Sequence, residues 1–353
     1  MNRLNSFEKI LILSPPFSSS GGVSSFIYAL KGSWAGSERY FFRGNTGSNT
    51  RTRFLLMMKE YLLFFFECIS FSGYNTILIN TSMGKKAMMR DSIFILMAAI
   101  FQKKIILFIH GWDDNYFSMV SKNKCWFFFL SDKIFVLSNE FKSRLEGKGY
   151  RKEIVVETTV VENDFIKFFD NNNQKEKNLI RVLFLARLEP QKGVMLLIEA
   201  FKHLTKKHKN ITLDIAGSGS LEKEVKANIM NHPNIIFHGL VTGKRKLELF
   251  KKAHIYVLPT SYGEGMPISV LEAMAAGLVV ITSSAGALRD FFIDGVMGFK
   301  MEDVSAAKLE ELLELALNEK EKGTEISRFN YDYARENVTV EKVSSRLQRE
   351  ILR

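Results

Sequence analysis

The amino-acid sequence predicts an α/β protein built from two doubly wound parallel sheets. Three observations point there. Short apolar runs alternate with helix-period segments along the chain. The chain has 353 residues, too many for one small core and suited to two α/β domains. The tract Asp170–Asn178, DNNNQKEKN, holds no apolar residue and reads as a linker between them.

The expected domains are 1–170, a first domain; 171–178, the hinge; 179–330, a second domain; and 331–353, a final helix. In the first domain Lys9–Leu13 reads as a buried strand, Ser14–Gly22 as a loop and Val23–Leu30 as a helix. Gly21-Gly22 ahead of that helix allows close backbone approach to a ligand. Glu38–Arg43 is a candidate second strand and Gly44–Thr52 a polar loop. Phe54–Ser72, FLLMMKEYLLFFFECISFS, is the most apolar stretch, but Lys59, Glu60 and Glu67 interrupt it, so it does not read as a membrane span. Two readings fit it: a core helix, or an amphipathic helix whose edge meets a bilayer amid Arg39, Arg43, Arg51, Arg53, Lys59, Lys85, Lys86 and Arg90. Core packing is the reading taken, with membrane contact by the rim.

Asn75–Asn80 reads as a strand, Met83–Phe101 as helix and Lys104–Ile109 as a strand ending at His110. In parallel sheets, ligands gather at such carboxyl ends. Asp113-Asp114 suits loop solvation or capping. Asn115–Leu130 is expected to be helical, Lys133–Leu137 a strand, Asn139–Leu145 a helix and Ile154–Val161 extended. The second domain restarts with strand Ile180–Ala186 and the loop Arg187–Gly193, RLEPQKG. Helix Lys192–Leu204, strand Thr212–Ala216, the turn Gly217-Ser218-Gly219, strand Asn234–Phe237 and a helix ending at Leu247–Lys252 follow. His238 reads as structural. Val304–Leu317 and Ile326–Leu352 are expected to be helical.

Composition is that of a globular chain: 46% apolar and 25% charged residues. Net charge is +11, and residues 1–170 carry 22 Lys/Arg against 15 Asp/Glu. That excess suits an anionic membrane surface or a diphosphate-linked lipid. Nucleic acid is not expected as a partner, because no binding module is present and the aromatics lie in core-like runs. Cys68 and Cys125 lie in apolar runs without metal-ligand spacing, which fits free thiols in a reducing compartment. The start of the chain does not resemble a signal peptide, since its apolar core Ile10–Leu13 is short.

The second domain is organised around Pro259–Gly277, PTSYGEGMPISVLEAMAAG, after the apolar run His254–Leu258 and before a strand Leu278–Thr282. Pro267 suits a first helical turn. Ile268, Leu271 and Ala275 recur at helical spacing and should face the core. The free N–H groups of Met266, Ile268 and Ser269 then point outward at the positive end of the helix dipole, a position suited to phosphate. Glu264 precedes the helix and Glu272 lies about 12 Å further along its axis. A nucleotide-sugar, with hexose, diphosphate and ribose in line, fits two carboxylates flanking a helix N-terminus.

Glu264-Gly265-Met266-Pro267 followed by Leu271-Glu272-Ala273 resembles the E-x(7)-E signature of family 4 glycosyltransferases, retaining enzymes of the GT-B fold. Arg187–Gly193 resembles that family's G-R-L-x-x-x-K-G loop, with Ala186 in the usual glycine position. Ser284–Asp290, SAGALRD, departs from its G-G-x-P-E loop at Ala287, Arg289 and Asp290. The resemblance is dense over residues 180–300; before that only Gly21-Gly22 and His110 carry it. It implies two Rossmann-like domains facing a cleft, the last helix crossing back to the first domain. It further implies transfer of a sugar from a nucleoside-diphosphate donor to an acceptor hydroxyl, with no cofactor and no metal. Glu264 and His110 would act on the donor sugar. Arg187, Lys192, Gly21, Gly22 and the amides of Met266, Ile268 and Ser269 would hold the diphosphate, Glu272 the ribose, and backbone at Gly239 and Leu240 the base. Family and charge together suggest a lipid-linked oligosaccharide acceptor, in O-antigen, capsule or exopolysaccharide assembly, on the cytoplasmic side of the membrane. The alternative is a nucleotide-sugar-binding partner subunit without catalysis. A nicotinamide oxidoreductase is not expected, because SPPFSSSGG follows the first strand where G-x-G-x-x-G would stand.

Overall fold

A computed structural model describes residues 9–19, 21–34, 36–44, 50–69, 73–170, 179–261 and 265–353. The chain divides into two compact units, Met1–Thr159 with Val340–Arg353, and Val160–Thr339.

The first unit runs β1 (Lys9–Ser14), α1 (Gly22–Leu30), β2 (Glu38–Phe42), α2 (Thr50–Ile69), β3 (Tyr74–Met83), α3 (Lys85–Ile100), β4 (Lys104–Trp112), α4 (Asp114–Met119), β5 (Lys133–Val136), α5 (Asn139–Lys148) and β6 (Glu153–Val156). Its six strands are parallel, in the order β2-β1-β3-β4-β5-β6. The central strands are near-continuous apolar runs because helices cover both faces; Ile12, Ile79 and Leu107 are fully buried. Ser138 caps α5 by accepting from the Phe141 amide at 3.1 Å, and Gly149 ends it in the left-handed conformation. Asp113 caps α4 in the same way, accepting from Tyr116 N–H at 3.0 Å, as the capping reading of that acid expects.

Asn115–Leu130 is not one helix. α4 stops at Val120 and Ser121, both extended, and Lys122–Leu130 is a 3₁₀ segment. A β-branched residue followed by serine gives the helix little to continue with. Cys68 and Cys125 are buried, unpaired thiols, and burial pushes Cys68 up to about 11.

Arg43, Asp91 and Arg90 form an ion cluster beneath this sheet. Arg43 and Asp91 are fully buried and 3.0 Å apart, Arg90 Nε stands 2.8 Å from Asp91, and Thr81 donates to the same carboxylate. Arg43 also donates to Asn80 O, so the cluster joins the chain just after β2 to β3 and α3. Removing one partner of such a pair strands a buried charge. Asp91→Ala should therefore lose about 3–5 kcal/mol in denaturant unfolding. Arg43→Met with Asp91→Leu should recover most of the loss.

The second unit contains α6 (Asn163–Asp170), β7 (Ile180–Leu185), α7 (Val194–Lys207), β8 (Ile211–Ala216), α8 (Glu222–Ile229), β9 (Ile235–Gly239), α9 (Gly243–Lys252), β10 (Ile255–Leu258), α10 (Ile268–Ala275), β11 (Val279–Ser283), α11 (Leu288–Phe291), β12 (Gly298–Met301), α12 (Ala306–Asn318) and α13 (Lys320–Asn337). The parallel order is β12-β11-β10-β7-β8-β9.

The division falls at Thr159/Val160, whereas the sequence groups 1–170 together. α6 accounts for the difference: its buried Phe165 packs against Phe250 of α9, with ring centroids 5.3 Å apart. The expected hinge 171–178 lies outside the described residues. The chain leaves the second unit at Val338-Thr339, where it pairs with Val161. Ile326–Leu352 is accordingly two helices, α13 and α14 (Val340–Leu352). α14 belongs to the first unit: Arg346 pairs with Glu157 at 2.6 Å, and Lys104 donates to Ile351 O at 2.7 Å.

Candidate functional site

β7 opens the second sheet and has β8 on one side and β10 on the other. The strand order reverses there, and in open α/β sheets ligands bind at the carboxyl ends of the strands beside such a reversal.

The loop after β7 is pinned by Leu188, fully buried, and closed by a 3₁₀ turn over Pro190–Lys192. Gln191 O accepts from Ser261 N–H at 2.8 Å and from Thr260 Oγ1 at 3.1 Å. Gly193 has φ +74°, and a Cβ there would stand 2.3 Å from Pro259 O. The loops after β7 and β10 are thus fastened backbone to backbone. The Gly217-Ser218-Gly219 turn joins them from β8. Leu188 N–H donates to Ser218 O at 3.0 Å, Leu221 N–H to Leu188 O at 2.9 Å, and a Cβ on Gly217 would meet Ala186 O at 1.9 Å. Glycine is required at Gly193 and Gly217 by crowding as well as by φ.

This framework holds Lys192 nearly buried, 7% exposed, while Arg187 is exposed. Burial and, second, the Arg187 charge bring the Lys192 ammonium down to about 8. The two cations therefore act on one another, and a diphosphate would restore Lys192 to its charged form.

α10 starts after Pro267, with the Ile268 and Ser269 amides in its first turn, where helical N–H groups have no partner within the helix. Tyr256 fixes this turn. Its hydroxyl lies 2.7 Å from Ser269 Oγ and 3.1 Å from Leu185 O, at the end of β7. Met266 is buried. Glu272 follows on α10, 5% exposed and 2.6 Å from Lys246 Nζ of α9. Burial raises its carboxyl above the usual range even though Lys246 opposes the rise. Lys246 Nζ in turn lies 5.6 Å from the Phe165 ring centroid. Glu264 lies outside the described residues.

Gly239 ends β9 with φ +66°, its carbonyl accepting from Gly217 N–H at 2.8 Å; the neighbouring Leu240 is exposed. His238 Nε2 lies 2.7 Å from Asp214, which also pairs with Arg181 at 3.1 Å. His238 and Arg181 thus satisfy a buried carboxylate, which is a structural role.

His110, Gly21 and Gly22 belong to the first unit. Gly21, at φ +148°, precedes α1, and Gly22 is its first residue. His110 Nε2 lies 2.8 Å from Asn80 Oδ1, and Asn80 Nδ2 donates to Leu13 O at 3.1 Å. That orientation of the amide puts the proton on Nε2 and leaves Nδ1 as an acceptor. The ring stacks on Phe108 at 4.2 Å, and burial lowers its pKa to about 3. His110 is a neutral imidazole, able to position or accept but not to donate a proton as an imidazolium.

Sequence reasoning missed Tyr256 and Lys246. Tyr256 had a signal, a hydroxyl inside the buried run HIYVL that must find a partner. Lys246 had none, being one of five cations in GKRKLELFKK. Among the described residues, no group of three or more His, Cys, Asp or Glu is placed to hold a metal ion.

Two six-stranded parallel sheets flanked by helices, each in its own compact unit, define the class, and that class is the GT-B fold. The chain superposes on Anabaena Alr3699/HepE, solved with UDP and glucose, over 98% of its own length and 99% of that chain, with a TM-score of 0.72 and 16% identity. Residues 165–332 match the family Glycosyl transferases group 1, which with the fold supports a group 1 glycosyltransferase. It is 37% identical over 120 residues to an uncharacterized glycosyltransferase, MJ1607, of Methanocaldococcus jannaschii, covering 33% of this chain and 30% of that one. It is 28% identical over 152 residues to the lipopolysaccharide 1,2-N-acetylglucosaminetransferase of Salmonella typhimurium, covering 40% of each. The chain therefore spans less than half the length of these two curated relatives.

Proposed function

We propose that the protein is a retaining, metal-independent glycosyltransferase that moves a sugar from a nucleoside-diphosphate donor to an acceptor hydroxyl. The observation that carries this reading is the fastening of the Arg187–Gly193 loop to the loop before α10. It sets two cations, a helix N-terminus and a buried carboxylate at one sheet edge. In this reading Arg187 and Lys192, with the amides of Met266, Ile268 and Ser269, take the charge that grows on the departing diphosphate. Glu272 accepts from the ribose hydroxyls and Glu264 from the sugar. Gly239 and Leu240 border the base. A diphosphate oxygen takes the acceptor proton. UDP in the HepE structure supports a nucleoside-diphosphate donor. The lipopolysaccharide transferase among the relatives supports a lipid-linked oligosaccharide acceptor in surface-polysaccharide assembly.

Assay of the purified protein against a donor panel tests this. Glu264→Ala should lower turnover by about 100-fold or more, and product NMR should show the donor's anomeric configuration kept. Unchanged turnover rejects the role of Glu264, and an inverted product rejects retention. A second reading, a donor-binding subunit without catalysis, is favoured only by Ser284–Asp290, where exposed Arg289 and Asp290 replace the family's proline and glutamate. Donor binding without transfer or hydrolysis would select it.

A further inference from the structure

α2 departs from the core-packing reading of its sequence. Only one side of it, with Tyr61, Phe64 and Cys68, is buried; Phe64 and Tyr61 meet Phe94 of α3 with ring centroids 5.0 and 4.9 Å apart. The other side is open and apolar: Leu55, Leu62 and Phe66 are 57–60% exposed. α3 adds a stripe at helical spacing, with Met89 63% and Ile100 66% exposed. Together the two helices show twelve exposed large apolar side chains, on the order of 1,000 Å² of apolar surface, more than isolated proteins usually leave uncovered. No described helix is long and apolar enough to cross a membrane.

The charges on the same two helices are sorted by sign. Each acid is withdrawn: Glu60 accepts from Gly44 N–H at 3.1 Å, Glu67 pairs with Arg39 at 2.6 Å, and Asp91 is fully buried. Each exposed charge is positive: Arg51, Arg53, Lys59, Lys85 and Lys86. Arg43 and Arg90, which also looked available in the sequence, are held by Asp91.

We infer that the α2–α3 face docks on an anionic lipid bilayer, with the apolar side chains at the headgroup–acyl boundary and the five cations among the headgroups. A second copy of the chain is the poorer occupant, because a two-fold contact would bring together two faces whose exposed charges are all positive. This deepens the lipid-linked reading of the acceptor but stands on the surface alone.

Flotation of the full chain with phosphatidylcholine vesicles, with and without phosphatidylglycerol, tests it. The protein should float with the anionic vesicles and be released by salt. Leu62→Glu with Phe66→Glu should cut partitioning at least about 30-fold. Both residues are exposed, so the thermal melt should hold. Lys85→Glu with Lys86→Glu should cut it by about tenfold or more, on anionic vesicles only. A protein that stays soluble with every vesicle overturns the inference, as does flotation indifferent to Leu62→Glu and Phe66→Glu. So does a lipid-free dimer that this pair dissociates while nothing floats. Donor transfer and hydrolysis measured in solution alongside keep the two readings apart: docking with neither transfer nor hydrolysis refutes the transferase, and turnover without docking refutes this surface.

Discussion

Replacing Lys192 with alanine should lower kcat/KM for the donor by about 100- to 1,000-fold, mostly through kcat. The ammonium is nearly buried in a loop fastened on three sides, and burial has already brought it down to about 8. A charge in so dry a position does little for the resting protein and much for a diphosphate gaining charge as its bond to the sugar breaks. The same number predicts a pH profile. The charged form is the active one, and it disappears above pH about 8, so kcat/KM should fall on the alkaline side with a limb there. Lys192→Arg should keep part of the activity and lose that limb, because a guanidinium stays charged throughout. A limb unmoved by Lys192→Arg would assign the titration to another group.

Much of this arrangement was written in local sequence, and the exceptions share a cause. The strands of both sheets are buried on two faces, so Ile105–Ile109 and Ile255–Leu258 read directly as apolar runs. The Arg187–Gly193 and Gly217–Gly219 loops were visible through their family resemblance, and the structure shows why glycine stands at Gly193 and Gly217: backbone crowds both positions. What stayed hidden depends on which way a side chain turns. α2 is apolar on nearly every side, so its periodicity could not say which face the core would take. Arg43 reads as one of several cations near the apolar helix until the fold sets it beside Asp91 of α3. α6 carries Phe165 and Phe169 four residues apart, yet nothing local says which unit they pack in. Lys246 is one cation on a basic helix until Glu272 selects it.

That selection gives Glu272→Ala a signature opposite to that of Lys192. In the proposed site Glu272 touches ribose, far from the bond that breaks, so it binds ground state and transition state alike. Its loss should raise donor KM by about 10- to 100-fold and leave kcat nearly unchanged. The fold should tolerate the change, because the stranded Lys246 side chain is 24% exposed and can turn to water. Lys246 then acts as a positioning residue for the carboxylate. Burial raises the Glu272 carboxyl and Lys246 restrains the rise, so donor KM should climb as pH falls and the carboxylate takes up a proton. In Lys246→Met the restraint is gone, and that climb should begin at higher pH. Measuring donor KM against pH for both proteins decides the point. An acid limb that stays where it was would mean that Lys246 does not tune Glu272, and a kcat loss in Glu272→Ala as large as that of Lys192→Ala would remove the carboxylate from the ribose and put it at the reacting centre.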